Sequence, residues 1–194
     1  MSRALDAALA AAALALTSPL LVLAALAIKL ESRGPVFYRQ RRVGRDGAPF
    51  ELWKLRTMVP GAATLGAGIY VLEGDPRITR VGRLLRRFSL DELPNLINVM
   101  RGEMALVGPR PTVQDQVDNY SARQLRRLEV KPGITGWAQV NGRASLPWPE
   151  RIELDVWYVE HRSLALDLRI LARTARMLAT GHGLYSEDLK QGWQ

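Results

Sequence analysis

Residues 7–28 read Ala7-Ala-Leu-Ala-Ala-Ala-Ala-Leu-Ala-Leu-Thr17-Ser18-Pro19-Leu-Leu-Val-Leu-Ala-Ala-Leu-Ala-Ile28 and carry no charge. A helix needs roughly 20 apolar residues to cross a bilayer, so this stretch places the chain at a membrane. Pro19 falls near the middle, directly after Thr17 and Ser18. A central proline removes one backbone hydrogen bond and bends a helix, and neighbouring hydroxyls can satisfy the carbonyl it frees. Both flanks are basic, with Arg3 before and Lys29 and Arg33 after. A simple span leaves one flank poorer in Lys and Arg. A re-entrant helix, broken at Ser18-Pro19 and leaving on the face it entered, reconciles the proline with the flanks. Three other readings compete. Ala25-Leu26-Ala27 resembles a signal-peptide cleavage site, but the apolar run exceeds the usual ~7–15 residues. A straight span with a tolerated proline is the second. The third, a buried helix of a soluble protein, fits poorly with an apolar surface all round.

The 194 residues suit one domain with appended elements. A net charge of +8 points to an anionic partner, whether nucleic acid, membrane surface or phosphorylated substrate. The chain has no cysteine, which excludes disulfides, zinc-thiolate sites and a cysteine nucleophile. Its two histidines, His161 and His182, are scattered, so any metal would be a hard cation on carboxylate and phosphate oxygens. The pattern predicts an α/β chain of the α+β kind, mainly helical with a small sheet or hairpin.

Beyond the apolar stretch, Val36 to Gln40 reads as a short strand, Asp46-Gly47 as a hairpin turn, and Pro49 to Arg56 as the return strand. Its polar face carries Glu51, or Lys54 and Arg56, depending on register. Residues 60–74, rich in Gly and Ala, read as a mobile loop. Asp75-Pro76 is predicted to open an arginine-rich helix with Arg77, Arg80, Arg83, Arg87 and partly Arg86 near one face, either solvated or against anionic headgroups. A helix is predicted from Leu93 to Met100. Met104 to Val107 reads as a strand running into Gly108-Pro109-Arg110-Pro111, where two prolines limit the freedom of Arg110. One polar helix is predicted over residues 113–129. Lys131 to Arg143 reads as a glycine-rich loop, with Trp137 as a stacking face and Arg143 as a charge. Asp155 lies on a helix over 148–160, placed to accept from a substrate hydroxyl, to orient an arginine or to sit on the surface. The last helix, Leu164 to Leu178, gathers Leu164, Leu168, Leu171, Ala175 and Leu178 on one face, for the membrane interface or for the core.

Within this frame the chemistry concentrates in Arg77-Ile-Thr-Arg80-Val-Gly-Arg83-Leu-Leu-Arg86-Arg87-Phe-Ser89-Leu-Asp91-Glu92-Leu-Pro94. Cations that hold phosphate, leading into a carboxylate that binds metal or attacks phosphorus, are what phosphoryl transfer requires. Ser89-x-x-Glu92 also matches a capping box. The two readings are compatible, because a helix N-terminus favours both an ionised carboxylate and a phosphate.

Seven motifs in order resemble the bacterial sugar transferases, the monotopic phosphoglycosyl transferases. They are Gly34-Pro-Val-Phe-Tyr-Arg-Gln-Arg-Arg-Val-Gly44, Lys54-Leu-Arg56-Thr-Met, Asp75-Pro-Arg-Ile-Thr-Arg80, Ser89-Leu-Asp91-Glu92-Leu-Pro-Asn95, Leu106-Val-Gly-Pro-Arg-Pro111, Lys131-Pro-Gly-Ile-Thr-Gly136 and Gln139-Val-Asn-Gly-Arg143. The resemblance implies a re-entrant membrane helix at 1–30, broken at Ser18-Pro19, a catalytic domain at 31–180 and a tail at 181–194. It implies transfer of a sugar-1-phosphate from a UDP-sugar to polyprenyl phosphate, by attack of Asp91 on the sugar-proximal phosphorus and release of UMP. Mg2+ would lie at Asp91 and Glu92, with Glu92 serving as metal ligand, base or helix cap. Lys54, Arg56, Arg86 and Arg110 would meet phosphate, and Trp137, Arg143 and Asp155 would lie near the nucleotide-sugar. The implied partners are UDP-sugar, polyprenyl phosphate and membrane lipid rather than nucleic acid, at the cytoplasmic face of the bacterial inner membrane. A homodimer is a candidate assembly, although no heptad or interface stripe marks one. Direct transfer without an intermediate, and a non-enzymatic membrane-attached anion-binding protein, are the alternatives. No local motif encodes the sugar.

Overall fold

The computed structural model describes residues 1–65, 74–142 and 146–180. Arg143, the 66–73 part of the expected loop and the 181–194 tail lie outside those residues. Helix α1 spans Arg3–Glu31, with the Ser2 hydroxyl accepting from the Leu5 N–H as its cap. The helix continues through Ser18-Pro19, where the sequence predicts a break. Pro19 has no N–H to offer the Ala15 carbonyl. The Ser18 hydroxyl donates to that carbonyl instead, at 2.8 Å, and Thr17 donates to Ala13 at 2.7 Å.

One side of α1 packs on the rest of the chain. Ala10 joins a core with Phe50, Leu52, Leu96, Val99 and Met104, and Ala24 and Ile28 join Leu55 and Leu85. Polar bonds hold both ends. Arg3 donates to the Val99 and Met100 carbonyls, and Asp6 accepts from the Leu106 N–H. At the far end Glu31 accepts from the N–H groups of Arg80 and Val81, at 2.6 and 3.0 Å. The other side is bare, with Leu16 83% and Leu30 88% exposed.

Strands β1 (Phe37–Val43) and β2 (Pro49–Leu55) form an antiparallel hairpin, with Phe37 opposite Leu55 and Val43 opposite Pro49. The predicted turn holds: Asp46 and Gly47 take φ of +55° and +80°, the left-handed region that Asp tolerates and Gly favours. Directly opposed residues share a face, so Tyr38, Gln40 and Arg42 lie with Lys54, Leu52 and Phe50.

Helix α2 (Arg80–Arg87) starts later than the sequence suggests, capped by Thr79. Asp75 and Arg77 form a buried pair at 2.6 Å, and the Asp75 side chain accepts the Arg77 N–H. Such a local bond competes with helix, so Arg77 leaves the expected basic face and donates to the Ala62 and Leu65 carbonyls. After α3 (Asn95–Arg101), strand β3 (Ala105–Val107) pairs in parallel with β4 (Gly133–Thr135). The buried Asn98 side chain accepts from the Trp53 N–H and donates to the Glu51 carbonyl, docking α3 on β2.

The helix expected over 113–129 is instead α4 (Gln114–Val117), α5 (Ala122–Leu125) and a 3-10 turn, Arg126–Leu128. The physical reason lies at Ser121, which forms a reciprocal capping box with Gln124 and so starts a new helix. The loop expected over 131–143 contains β4 and α6 (Trp137–Val140). Helices α7 (Trp148–His161) and α8 (Leu164–Thr180) close the fold. The architecture is α+β and mainly helical, as expected, with two small two-stranded sheets among the described residues.

Candidate active site

Asp91 and Glu92 sit in a 3-10 turn, Leu90–Glu92, between α2 and α3. Ser89 before them takes φ +53°, a strained region for a residue with a side chain, and its hydroxyl makes no capping bond. The capping box read from Ser89-x-x-Glu92 therefore does not form. The Glu92 carboxylate instead accepts from Lys54 Nζ at 2.7 Å and from Arg110 Nη2 at 2.8 Å, both on Oε1.

The two adjacent acids differ. Asp91 is buried, and among the described residues its carboxylate has no hydrogen-bond or ion-pair partner. Burial raises its pKa, the neighbouring Glu92 charge adds to the rise, and Lys54, Arg86 and Arg110 pull it partly back. Burial also pushes Glu92 upward, but Arg110 and then Lys54 outweigh it and hold this carboxyl well below the usual range. Glu92 is thus a committed anion and Asp91 an uncommitted one.

Arg110 reaches Glu92 from the Gly108–Pro111 turn, with its side chain 43% exposed. Two further arginines grip the turn. Arg127 Nη2 donates to the Arg110 carbonyl at 3.0 Å, and Arg42 Nη1 donates to the Pro111 carbonyl at 3.3 Å. Arg127 is wholly buried, where it pairs with Asp155 and donates to the Tyr120 hydroxyl. Burial raises the Asp155 pKa and Arg127 pulls it back only in part. Burial, with the nearby Arg110 charge, lowers Arg42 to about 10. Glycines set the turn close against its neighbours: a Cβ on Gly108 would stand 2.4 Å from the Lys131 carbonyl oxygen, and one on Gly133 would stand 2.1 Å from the Gly108 nitrogen.

Of the residues singled out from sequence, Lys54, Arg86, Asp91, Glu92 and Arg110 converge here. Arg86 Nε donates to Thr57 at 2.8 Å, leaving its terminal nitrogens uncommitted among the described residues. Arg56 does not join them; it is buried, and its guanidinium donates to the Ser32 and Arg33 carbonyls at the exit of α1. Asp155 stands behind the site and orients Arg127. Trp137 is half-buried, stacked on Trp157 with 5.0 Å between ring centroids, while the Arg173 guanidinium lies 5.3 Å from its own ring centre. Arg143 lies outside the described residues. Sequence reasoning missed Arg42, Thr57, Asn95 and Arg127. Arg42 was within reach, since hairpin alternation puts it on the Lys54 face. Arg42, Lys54, Glu92, Asn95 and Arg110 line one small cleft together with apolar side chains such as Leu52 and Met104, and among the described residues Arg42 Nε and Asn95 Oδ1 have no partner there.

Cations converging on a pair of carboxylates define a site for phosphate chemistry. The chain belongs to the bacterial sugar transferase family, whose sequence profile matches residues 1–181, and it is accordingly a transferase. It is 48% identical to the UDP-glucose:undecaprenyl-phosphate glucose-1-phosphate transferase of Caulobacter vibrioides, over 94% of this chain and 71% of that protein. With the uncharacterized sugar transferase EpsL of Bacillus subtilis it shares 45% identity, over 87% of this chain and 82% of the other. A UDP-N-acetylgalactosamine-undecaprenyl-phosphate N-acetylgalactosaminephosphotransferase of Aeromonas hydrophila is 41% identical over 94% of this chain, which spans 44% of that longer protein.

Proposed function

We propose that the chain transfers a sugar-1-phosphate from a UDP-sugar to undecaprenyl phosphate, giving undecaprenyl-diphosphate-sugar and UMP as the first membrane step of glycoconjugate synthesis. The observation that carries this reading is the unequal acid pair: Asp91 uncommitted among cations, Glu92 already bound to two of them. In the first step an Asp91 oxygen attacks the sugar-proximal phosphorus. The new O–P bond forms as the phosphoanhydride bond breaks, and UMP leaves with the bridging oxygen. In the second step an oxygen of the polyprenyl phosphate attacks the same phosphorus and returns Asp91 as a free carboxylate. Splitting the transfer this way lets one set of cations serve donor and acceptor in turn.

Incoming phosphate competes with Glu92 for Lys54 and Arg110. Arg110 is exposed enough to rotate toward it, and Arg86 has terminal nitrogens uncommitted among the described residues to add. Displacement leaves Glu92 as a second free carboxylate beside Asp91. Among the described residues no group of three or more His, Cys, Asp or Glu could hold a metal. Two carboxylates plus substrate phosphates suit Mg2+, which dehydrates reluctantly and rarely takes an all-protein cage. Bound at Asp91 and Glu92, Mg2+ would neutralise the diphosphate.

The membrane part of the proposal seats α1 in the inner membrane from the cytoplasmic face without crossing it, as a re-entrant segment that lacks the break expected at Ser18-Pro19, with the rest of the chain on that face. Arg3 and Asp6 at one end, and Glu31 at the other, bond to the same folded body. A straight span would place those ends on opposite sides of a hydrocarbon core of about 30 Å.

Incubation with a UDP-sugar and Mg2+, without acceptor, should release UMP and leave a phosphosugar on the peptide that carries Asp91, visible by mass spectrometry. An adduct on another residue, or wild-type UMP release by Asp91→Asn, overturns the assignment.

A further inference from the structure

The cleft beside the acid pair holds polar atoms that phosphate transfer leaves unused. Its cations are already engaged. Lys54 and Arg110 bind Glu92, and the terminal nitrogens of Arg42 donate to Gln40 Oε1 at 2.7 Å and to the Pro111 carbonyl at 3.3 Å. Those two bonds fix the Arg42 guanidinium, yet its Nε is buried without a partner among the described residues. Asn95 is 3% exposed, and its Oδ1 is likewise buried without a partner there. Asn98, one turn further along α3, shows the contrast: its side chain bonds to the Trp53 N–H, the Glu51 carbonyl and the Glu103 carboxylate. Buried polar atoms are normally paired, so the two exceptions call for a function.

The two atoms are opposite in kind. An arginine Nε only donates, and an asparagine Oδ1 only accepts. An ionised phosphate only accepts, so it answers Arg42 but not Asn95. A hydroxyl donates one bond and accepts another, and so satisfies both. Leu52, Met104 and Ile134 make part of the same lining apolar. Such a lining suits the C–H groups of a sugar and disfavours a second phosphate. Asn95 opens α3, four residues after Asp91. That is roughly 6 Å along a helical path, comparable with the width of a hexose ring.

We propose that Asn95 and Arg42 read the sugar: together they take one hydroxyl of the hexose carried by the phosphorus that Asp91 attacks. The hydroxyl donates to Asn95 Oδ1 and accepts from Arg42 Nε. The cleft has room for about one water-sized group, so it admits a single substituent and not the ring. Arg110 opens the way when it exchanges Glu92 for phosphate, which ties recognition of the sugar to engagement of the donor diphosphate. The inference rests on the proposed transfer from a UDP-sugar and adds to it a determinant of which sugar is carried.

The test pairs changes in the ligand with changes in the protein. UMP release by the full chain is measured with UDP-glucose, UDP-galactose and their N-acetylhexosamine counterparts, then with monodeoxy analogues of the sugar turned over fastest. In the wild type one analogue is expected to lose at least about tenfold in kcat/KM. Asn95→Leu, similar in shape but without the acceptor, is expected to lose a similar factor with the parent sugar. With that one analogue it should lose less than about twofold more, the non-additivity of two changes at one contact. Its Tm should hold or rise, because an unpaired polar atom gives way to apolar surface. Equal losses on the parent and on every analogue, or a wild type insensitive to all of them, give Asn95 a structural role only. Either result overturns the proposal and leaves the transfer reading intact. UMP release by the wild type from no UDP-sugar overturns both. If Asn95→Leu does not fold, Arg42→Lys, which keeps the charge and lacks Nε, is read on the same analogues with the same outcomes.

Discussion

The Gly108–Pro111 turn is held from two sides by similar chemistry put to different uses. Behind it, Arg127 and Asp155 are wholly buried, and Arg127 grips the Arg110 carbonyl. In front, Lys54 and Arg110 share one oxygen of Glu92, and Arg110 remains partly exposed. A buried pair cannot exchange partners without stranding a charge, whereas a pair at a cleft can trade an internal carboxylate for a substrate phosphate. The back fixes where Arg110 starts; the front decides what it binds.

The largest expected effect is at the front. Asp91→Asn removes the nucleophile and should lower turnover by about 10^3-fold or more. The same substitution should raise Tm at neutral pH. An acid whose folded pKa lies above its unfolded value is held ionised at a cost above that range, and the cost vanishes as pH falls through the folded pKa. A neutral isostere removes it. The acid limb of kcat/KM should for the same reason lie above the ordinary carboxylate range. Loss of activity with a lower Tm would make Asp91 a structural acid and erase the contrast with the back.

Next comes the back. Asp155→Ala strands a buried Arg127 and should cost about 3–5 kcal/mol in denaturant unfolding, with Asp155→Asn milder because its amide oxygen still accepts. If Asp155→Ala unfolds like wild type, the turn has no rigid rear support. This half of the site was the least legible in the sequence. Arg127 and Asp155 are 28 positions apart, and neither sits in a spacing that announces a partner. The acidic pair and the Gly-Pro-Arg-Pro turn were legible because each is local: adjacent acids after a run of arginines, and prolines around one cation. The hairpin was legible for the same reason, through Asp46-Gly47 and alternation. The helix over 113–129 was misread because polar periodicity is weak, while the capping box at Ser121 and Gln124 breaks it.

A smaller effect separates Glu92 from its neighbour. Glu92→Gln should lose about 1.5–3 kcal/mol at neutral pH, the scale of hydrogen bonds to a charged group. Glu92 has a depressed folded pKa, so its contribution is present above the unfolded carboxylate pKa and is lost as pH falls through the folded one. Thermal melts from pH 3 to 7 should therefore show a flatter acid side for the variant than for wild type. Binding of inorganic pyrophosphate should tighten, because Lys54 and Arg110 no longer hold an internal anion. Unchanged pyrophosphate affinity would mean that phosphate never competes with Glu92.

The smallest effect concerns Arg86, a front cation whose one side-chain hydrogen bond among the described residues is from Nε to the buried Thr57 hydroxyl. Thr57→Val keeps the volume and removes that acceptor. A hydrogen bond to a charged group is worth about 1.5 kcal/mol at the low end, close to a tenfold factor, so kcat/KM for the UDP-sugar should fall by up to about tenfold. The melting curve should barely move, since Arg86 is only partly buried and water can replace the hydroxyl. If kcat/KM is unchanged, Arg86 finds phosphate without guidance and the front needs no scaffold beyond the turn. If it falls with Tm intact, even the exchangeable side of the site depends on one fixed hydroxyl, and the division between a rigid back and a mobile front narrows to Arg110 alone.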